Sequence, residues 1–259
     1  MIIAADNLRV TQPTIAKAIE QLDPAPIAAM ARRCAEAGAD WIDINPGPLN
    51  RDPVGRMTFL VETVCAVTTL PLMLDTVNPA AMAAGLAAGR SNRVILNGFS
   101  LEPAKLAQIL PLAGQYGCDI VGYLLTPDSQ VPVSEEECIA VALDLYSAFQ
   151  ATGLSDAQLI IDPVVAPLIW ADGPRHNRHL LTLLRTLPDL LGFPVRTIAG
   201  LSNLTAGRMP GKIKQAMQRT FLPMLAAAGL NIGLLDIDHP DTVLTARTCT
   251  QLLENDIIA

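Results

Sequence analysis

Charge is scarce in this sequence. Lys, Arg, Asp and Glu make up 17% of its 259 residues, and the basic ones are outnumbered 18 to 25, for a net charge of −7. A sequence-independent nucleic-acid binder needs a basic face, so that class is excluded. Long hydrophobic runs are missing too. The richest stretches, "AAMAAGLAAG" and "PMLAAAGL", are short and broken by Gly and Pro, so they read as core helices rather than membrane spans. The N-terminus "MIIAADNLR" has no basic segment ahead of an apolar one, and no signal peptide is expected there. Five cysteines, at 34, 65, 118, 138 and 249, include no Cys-x-x-C pair. That set fits reduced thiols in a cytoplasm and gives no support to a zinc or iron–sulfur site.

What the sequence has in abundance is apolar residues, 51% of the chain. With so little charge, that excess predicts fully buried strands and an oligomer interface, read as a homodimer. Eight short apolar runs of strand length alternate with segments of helical period. The runs are 1–5, 41–45, 71–76, 93–98, 119–126, 159–165, 196–203 and 232–238. Between them, "PIAAMARRCAEAG" stops at Gly38, and "SEEECIAVALDLYSAFQATG" opens on Ser134 with Glu137 three residues on, a capping-box pattern. "PDTVLTARTCTQLLEND" supplies a helix after the last strand, while "QVPVSEE" and "WADGPRHNRH" read as loops. Eight β-then-α units with no linker predict one domain over 1–259, a closed (β/α)8 TIM barrel. A doubly wound open sheet is the alternative.

In a barrel of this kind the C-terminal strand ends build the site. Those ends carry Asp43 and Asn45 on the second run, Asp75 on the third, Asn97 on the fourth, Asp162 on the sixth, Asn203 on the seventh, and Asp236 and Asp238 on the eighth. Any one of them could be a helix cap. Six strand ends bearing such groups point instead to a shared ligand. The sequence shows no Lys at a strand end for a Schiff base and no P-loop. Its three histidines, 176, 179 and 239, are too dispersed for a metal triad, and the first two fall in a polar loop expected to be solvated. Carboxylates with amides suit a planar heterocycle with adjacent N–H donors, such as the 2-amino-4-oxo-pyrimidine ring of a pterin.

The motifs "AEAGADWIDINPGP", "LMLDTVN", "VILNG", "LIIDPVV" and "GLSN", in that order, resemble the pterin-binding methyltransferases. The likeness is greatest to methyltetrahydrofolate:corrinoid/iron–sulfur protein methyltransferases. It implies a barrel that holds methyltetrahydrofolate as substrate while a separate corrinoid protein brings its cobalt to the mouth. By the same resemblance Asp75, Asn97 and Asp162 bind the pterin, Asp43 and Asn45 lie beside it, and Asn203 is catalytic. Arg208, Lys212 and Lys214, in the stretch "LTAGRMPGKIKQ" read as a loop, are candidates for the folate glutamate tail or the partner, or are solvated surface. The first strand departs from the family, with "AADNLR" where a Gly-Glu-Arg-Ile-Asn type is usual. The corrinoid motif Asp-x-His-x-x-Gly is not matched around His239, so a partner is expected to carry the corrinoid. Two other readings stay open: a dihydropteroate synthase-like enzyme and a non-catalytic pterin-binding subunit of a corrinoid complex.

Overall fold

In the computed structural model, which describes residues 1–253, the strands close in sequence order into one parallel barrel. The strands are β1 (Ile2–Arg9), β2 (Trp41–Asn45), β3 (Leu72–Leu74), β4 (Val94–Phe99), β5 (Asp119–Tyr123), β6 (Leu159–Asp162), β7 (Arg196–Gly200) and β8 (Ile232–Leu235). Closure runs through β1 and β8, with Ile2 opposite Ile232 and Ala5 opposite Leu235. The helices are α1 (Pro13–Gln21), α2 (Pro24–Glu36), α3 (Pro53–Cys65), α4 (Pro79–Ala88), α5 (Pro103–Gln108), α6 (Leu110–Tyr116), α7 (Glu135–Gln150), α8 (Gly173–Leu191), α9 (Gly211–Ala227) and α10 (Pro240–Leu253). The expected (β/α)8 barrel is therefore found, and the open sheet is not. The last residues of the expected final helix, 254–256, lie outside the described residues.

Proline placement explains why the helices start where they do. Pro13, Pro24, Pro53, Pro79 and Pro103 each open a helix, where the missing N–H has no intrahelical partner to lose. Asp23, Asp52, Asn78 and Ser134 cap the helices that follow them by accepting from backbone N–H groups. The Ser134 hydroxyl takes the Glu137 N–H at 3.1 Å, as the pattern predicted, but the Glu137 carboxylate reaches one residue further back, to the Val133 N–H at 2.9 Å. Ser134→Ala is therefore expected to lower stability by about 1 kcal/mol. A urea melt would show this as a lower midpoint with an unchanged slope.

The barrel interior is built by strand alternation. One apolar residue from each strand, Ala4, Trp41, Met73, Ile95, Val121, Ile160, Ile198 and Ile232, forms a single buried cluster. Side chains repeat on the same face of a strand every second residue. Two positions further along the chain from Ala4, Trp41, Met73, Ile95, Val121 and Ile160 stand Asp6, Asp43, Asp75, Asn97, Tyr123 and Asp162. The apolar ring is thus the floor of the site, and the polar ring lies directly above it. Outside the strands, a larger apolar layer joins them to α1–α8, and a second joins β1, β7 and β8 to α8–α10.

Several expected boundaries shift at the rim. β3, β5, β6 and β8 stop before the ends of their runs. β7 ends at Gly200, and 201–205 curl into a 3-10 turn, so Asn203 sits on that turn and not on the strand. β1 runs the other way, extending from the expected end at 5 to Arg9 across a bulge between Ala5 and Leu8. "WADGPRHNRH" is not a loop throughout, because α8 begins at Gly173 within it. Likewise α9 begins at Gly211, which puts Lys212 and Lys214 on a helix. Gly98 marks the tightest approach at the rim. A β-carbon there would stand 2.1 Å from the Val121 carbonyl oxygen, beside the register shift between β4 and β5.

Candidate active site

The polar ring encloses a cavity of about 290 Å³ at the C-terminal mouth, with Asp75, Asn97, Lys105, Tyr123, Asp162 and Asn203 in its wall. Each side chain is held by a neighbour. Asn45 donates its amide to Asp75 and in turn accepts the Gly47 N–H at 3.2 Å. Asn97 is fixed from both ends: the Tyr123 hydroxyl donates to its Oδ1 at 2.7 Å, and its Nδ2 donates to Asp43 at 3.2 Å. That pairing settles which end of the Asn97 amide is oxygen. It also leaves that amide one further N–H and one lone pair for a ligand. Asp162 accepts the Val164 N–H on Oδ1 at 2.8 Å.

Three carboxyl groups of this ring are held well away from their ordinary range. Burial, with the Asp6 charge second, pushes Asp75 up to about 7, against a lowering by Lys105. Burial pushes Asp162 up to about 7 as well, with the Val164 N–H opposing and the Asp75 charge adding a little. Asp43 is raised well above the carboxylate range, first by complete burial and then by the charges of Asp75 and Asp6. Burial also raises the Tyr123 phenol, with Asp75, Asp162 and Asp43 adding to it, so it remains a donor. Clustered shifts of this kind in a cleft mark a functional site.

A ring that presents N–H donors needs these groups as carboxylates, so its binding releases protons. Affinity for such a ring should rise by at least about tenfold between pH 5.5 and 7.5. Calorimetry in buffers of different ionisation heat measures the release directly; no dependence on buffer or pH would exclude the carboxylates as the acceptors. Stability of the ligand-free protein runs the opposite way. Its raised carboxyls stabilise the fold fully below the ordinary pKa of 3.8, and that contribution is lost as pH rises through about 7.

The structure brings together most of the residues named from sequence. Asp75, Asn97 and Asp162 face the cavity, and Asn45 and Asp43 hold the first two of these from behind. Asn203 lies solvent-exposed at the rim, its amide folded back over Gly200 so that a β-carbon there would be 3.3 Å away. Arg208 is exposed and stands outside the cavity wall, and Lys214 is taken up by the Gly207 carbonyl at 2.8 Å. His176 is buried and hydrogen-bonded, and His179 has a buried Nδ1, so neither is the solvated loop residue expected. Asp236 belongs to a network that ties β1 to the end of β8 and joins the polar ring at Asp6. It accepts from Asn7 at 2.7 Å and from Arg9 at 3.3 Å, and Arg9 also pairs with Asp6. Asp6, raised to about 6 mainly by burial, meets the Asn203 turn through Ser202 at 3.4 Å. Asp238 pairs with Arg33 on the outer surface.

Three residues escaped the sequence reading. Tyr123 follows Val121 at the period of the inner face, a signal that was present but carried no charge. Asp6 lay in the atypical first strand. Lys105 comes from α5, with its Nζ 5.5 Å from the centre of the Tyr123 ring and 3.8 Å from Glu102. Only the fold brings it to the cavity.

Fold and site together define a closed (β/α)8 barrel with a ring of buried carboxyl and amide groups around a cavity at its strand ends. The chain belongs to the pterin binding enzyme family, which matches residues 8–236. It is 24% identical over 259 residues to the methylcorrinoid:tetrahydrofolate methyltransferase of Eubacterium limosum, covering 99% of this chain and 92% of that one. It is also 24% identical over 210 residues to the methionine synthase of Mycobacterium tuberculosis, covering 76% of this chain but only 17% of that much longer protein. Among solved structures, it matches a Yersinia pestis dihydropteroate synthase with a TM-score of 0.68 at 17% identity, over 98% of this chain and 94% of that one. A Xanthomonas albilineans dihydropteroate synthase gives 0.68 at 21%, over 100% and 93%. At those identities the structural likeness shows the fold alone.

Proposed function

We propose that the protein is a methyltransferase that moves a methyl group between N5 of methyltetrahydrofolate and the cobalt of a corrinoid carried by a partner protein. The observation that carries this reading is the rim of the cavity. Asp75, Asn97 and Asp162 offer acceptors to a ring, and the group at the mouth, Asn203, is an uncharged amide. The near full-length likeness to a methylcorrinoid:tetrahydrofolate methyltransferase supports it.

The chemistry explains the amide. N5 of methyltetrahydrofolate is a tertiary amine, and as an anion it is a very poor leaving group. It must gain positive character before cobalt can take the methyl. Asp162 and Asp75 hold the ring through its N–H donors, and Asn97 fixes its orientation between them. Once solvent has protonated N5, Asn203 can turn its oxygen to accept from N5–H⁺, and transfer of the methyl to Co(I) leaves the neutral N5–H of tetrahydrofolate. A Lys there would repel the cation, and a carboxylate would hold the proton itself. Asn203 thus stabilises the transition state without acting as a base.

The test is direct: purified protein, methyltetrahydrofolate and free Co(I) cobalamin, with methylcobalt followed by its absorbance. Methyl transfer is expected; its absence would favour the non-catalytic reading. A dihydropteroate synthase-like activity draws support from the barrel alone. Its strand-7 Ser-Arg-Lys motif is replaced here by Ser202-Asn203, and an assay for dihydropteroate should be blank. The site of action is the cytoplasm, and the protein works as a homodimer. An outer groove of about 600 Å³ between α8 and α9, with Ile213, Met217 and Met224 exposed, supports the pairing. Sedimentation at micromolar concentration should show twice the 27.5 kDa chain mass, and a purely monomeric species would reject it.

A further inference from the structure

His176, on the first turn of α8, is 5% exposed and has no part in the chemistry above. Its two ring nitrogens face two backbone carbonyls. Nε2 stands 2.8 Å from the Val164 oxygen, and Nδ1 stands 3.1 Å from that of Pro132. Both partners are acceptors, so a neutral ring can donate to only one of them, and the contact from Nε2 is the shorter.

Val164 is the unusual residue in this arrangement. Its φ is +59°, in the left-handed region that a β-branched side chain avoids. Such a conformation persists only where the surroundings impose it. In this conformation the Val164 N–H points back at Asp162, 2.8 Å from Oδ1. The N–H and the carbonyl flank the same α-carbon, so a hydrogen bond that fixes the carbonyl also limits where the N–H can aim. The surrounding loop is clamped to α8 at neighbouring points. Asn177 pairs with both backbone groups of Ala166, at 3.0 and 2.8 Å, and a β-carbon on Gly173 would stand 2.1 Å from the Pro167 oxygen.

We propose that His176 is a positioning residue for the pterin site: by donating from Nε2 to the Val164 carbonyl, it holds Val164 left-handed and aims the Val164 N–H at Asp162. One carboxylate oxygen is thereby engaged by the backbone and the other is presented to the ring. The inference rests on the reading of Asp162 as a pterin-binding residue.

The two amide replacements separate this role from simple packing. In His176→Gln the side-chain amide nitrogen reaches about as far as Nε2. In His176→Asn it reaches only as far as Nδ1 and loses Val164. Tetrahydrofolate binding to the full chain is read by calorimetry, with KM and kcat for transfer to free Co(I) cobalamin and a thermal melt for each variant. His176→Gln should keep affinity within about twofold, and His176→Asn should weaken it about tenfold, raising KM and leaving kcat unchanged. Asn177→Ala, which loosens the clamp at Ala166 alone, should lower the melting temperature and leave affinity unchanged. In an Asp162→Ala background His176→Asn should cost no further affinity. Equal weakening by Gln and Asn, or by Asn177→Ala, overturns the proposal in favour of a structural role. If His176→Asn fails to fold, His176→Gln carries the test, and a tenfold loss of affinity in that variant overturns it. Asp162→Ala distinguishes the two levels. Should that variant bind normally, the reading of the site falls and this inference with it. Should it bind weakly while His176→Asn binds normally, only the inference falls.

Discussion

Asn203→Ala is expected to lower the rate of Co(I) methylation roughly 10²–10³-fold, the scale for losing one preorganised polar group at a developing charge. Affinity for the folate should change by a much smaller factor. The difference follows from where the amide sits. Asn203 stands exposed on a short 3-10 turn at the cavity rim, whereas Asn97 and Asp162, the groups proposed to hold the ring, are buried on the strands below. An exposed amide adds little to ground-state binding because water replaces it. Under the proposed function it contributes most when N5 carries charge. Single-turnover methylation and calorimetry on the same variant separate the two effects. If rate and affinity fall by the same modest factor, Asn203 is a binding residue. The stabilising role would then pass to another amide of the ring, first Asn45.

How much of this was legible before the fold was known depends on the kind of signal. The strands were visible because each is a short apolar run, and the inner face was visible because polarity switches on at a fixed step, from Ile95 to Asn97 and from Ile160 to Asp162. Strand ends were less visible, since a run of apolar residues does not say where the ladder stops. At β7 the chain leaves the sheet after Gly200, which the Ser-Asn pair allows and the apolar count does not reveal. Contacts across elements left no trace in the sequence. Lys105 reaches the cavity only because α5 follows β4 at the rim, and Tyr123 meets Asn97 only through the β4–β5 pairing. The start of α8 was hidden by its own composition. Gly-Pro-Arg-His-Asn-Arg-His reads as polar loop, yet Pro174 is suited to a helix N-terminus, and the buried face takes a His and an Asn that bind loop carbonyls. A polar residue on an inward face is informative only once its partner is known.

Asp162→Ala tests the proposed ring-binding half of the site, and its effects on binding and on stability should part at alkaline pH. In the proposed function the Asp162 carboxylate accepts from the pyrimidine edge, and removing it leaves a ring donor unpaired in a buried cavity. Tetrahydrofolate binding should weaken by roughly 1–3 kcal/mol. Asp162→Asn should do no better, because the amide keeps one acceptor for Val164 and turns a donor toward the ring's own N–H. Stability should move the other way at alkaline pH. The wild-type carboxyl, pushed up to about 7, is ionised in its buried site at pH 8 at a cost that alanine removes. That relief opposes the lost bond to the Val164 N–H, so the melting temperature at pH 8 should not fall. Below pH 4 the group is neutral whether the chain is folded or unfolded. There its hydrogen bond and packing count in full, and alanine should be the less stable. Unchanged tetrahydrofolate affinity in a folded Asp162→Ala would refute the assignment of this residue to the ring. A melting temperature that drops equally at both pH values would show that the carboxyl is a structural element of the β6 rim, with binding lost only because the rim has moved.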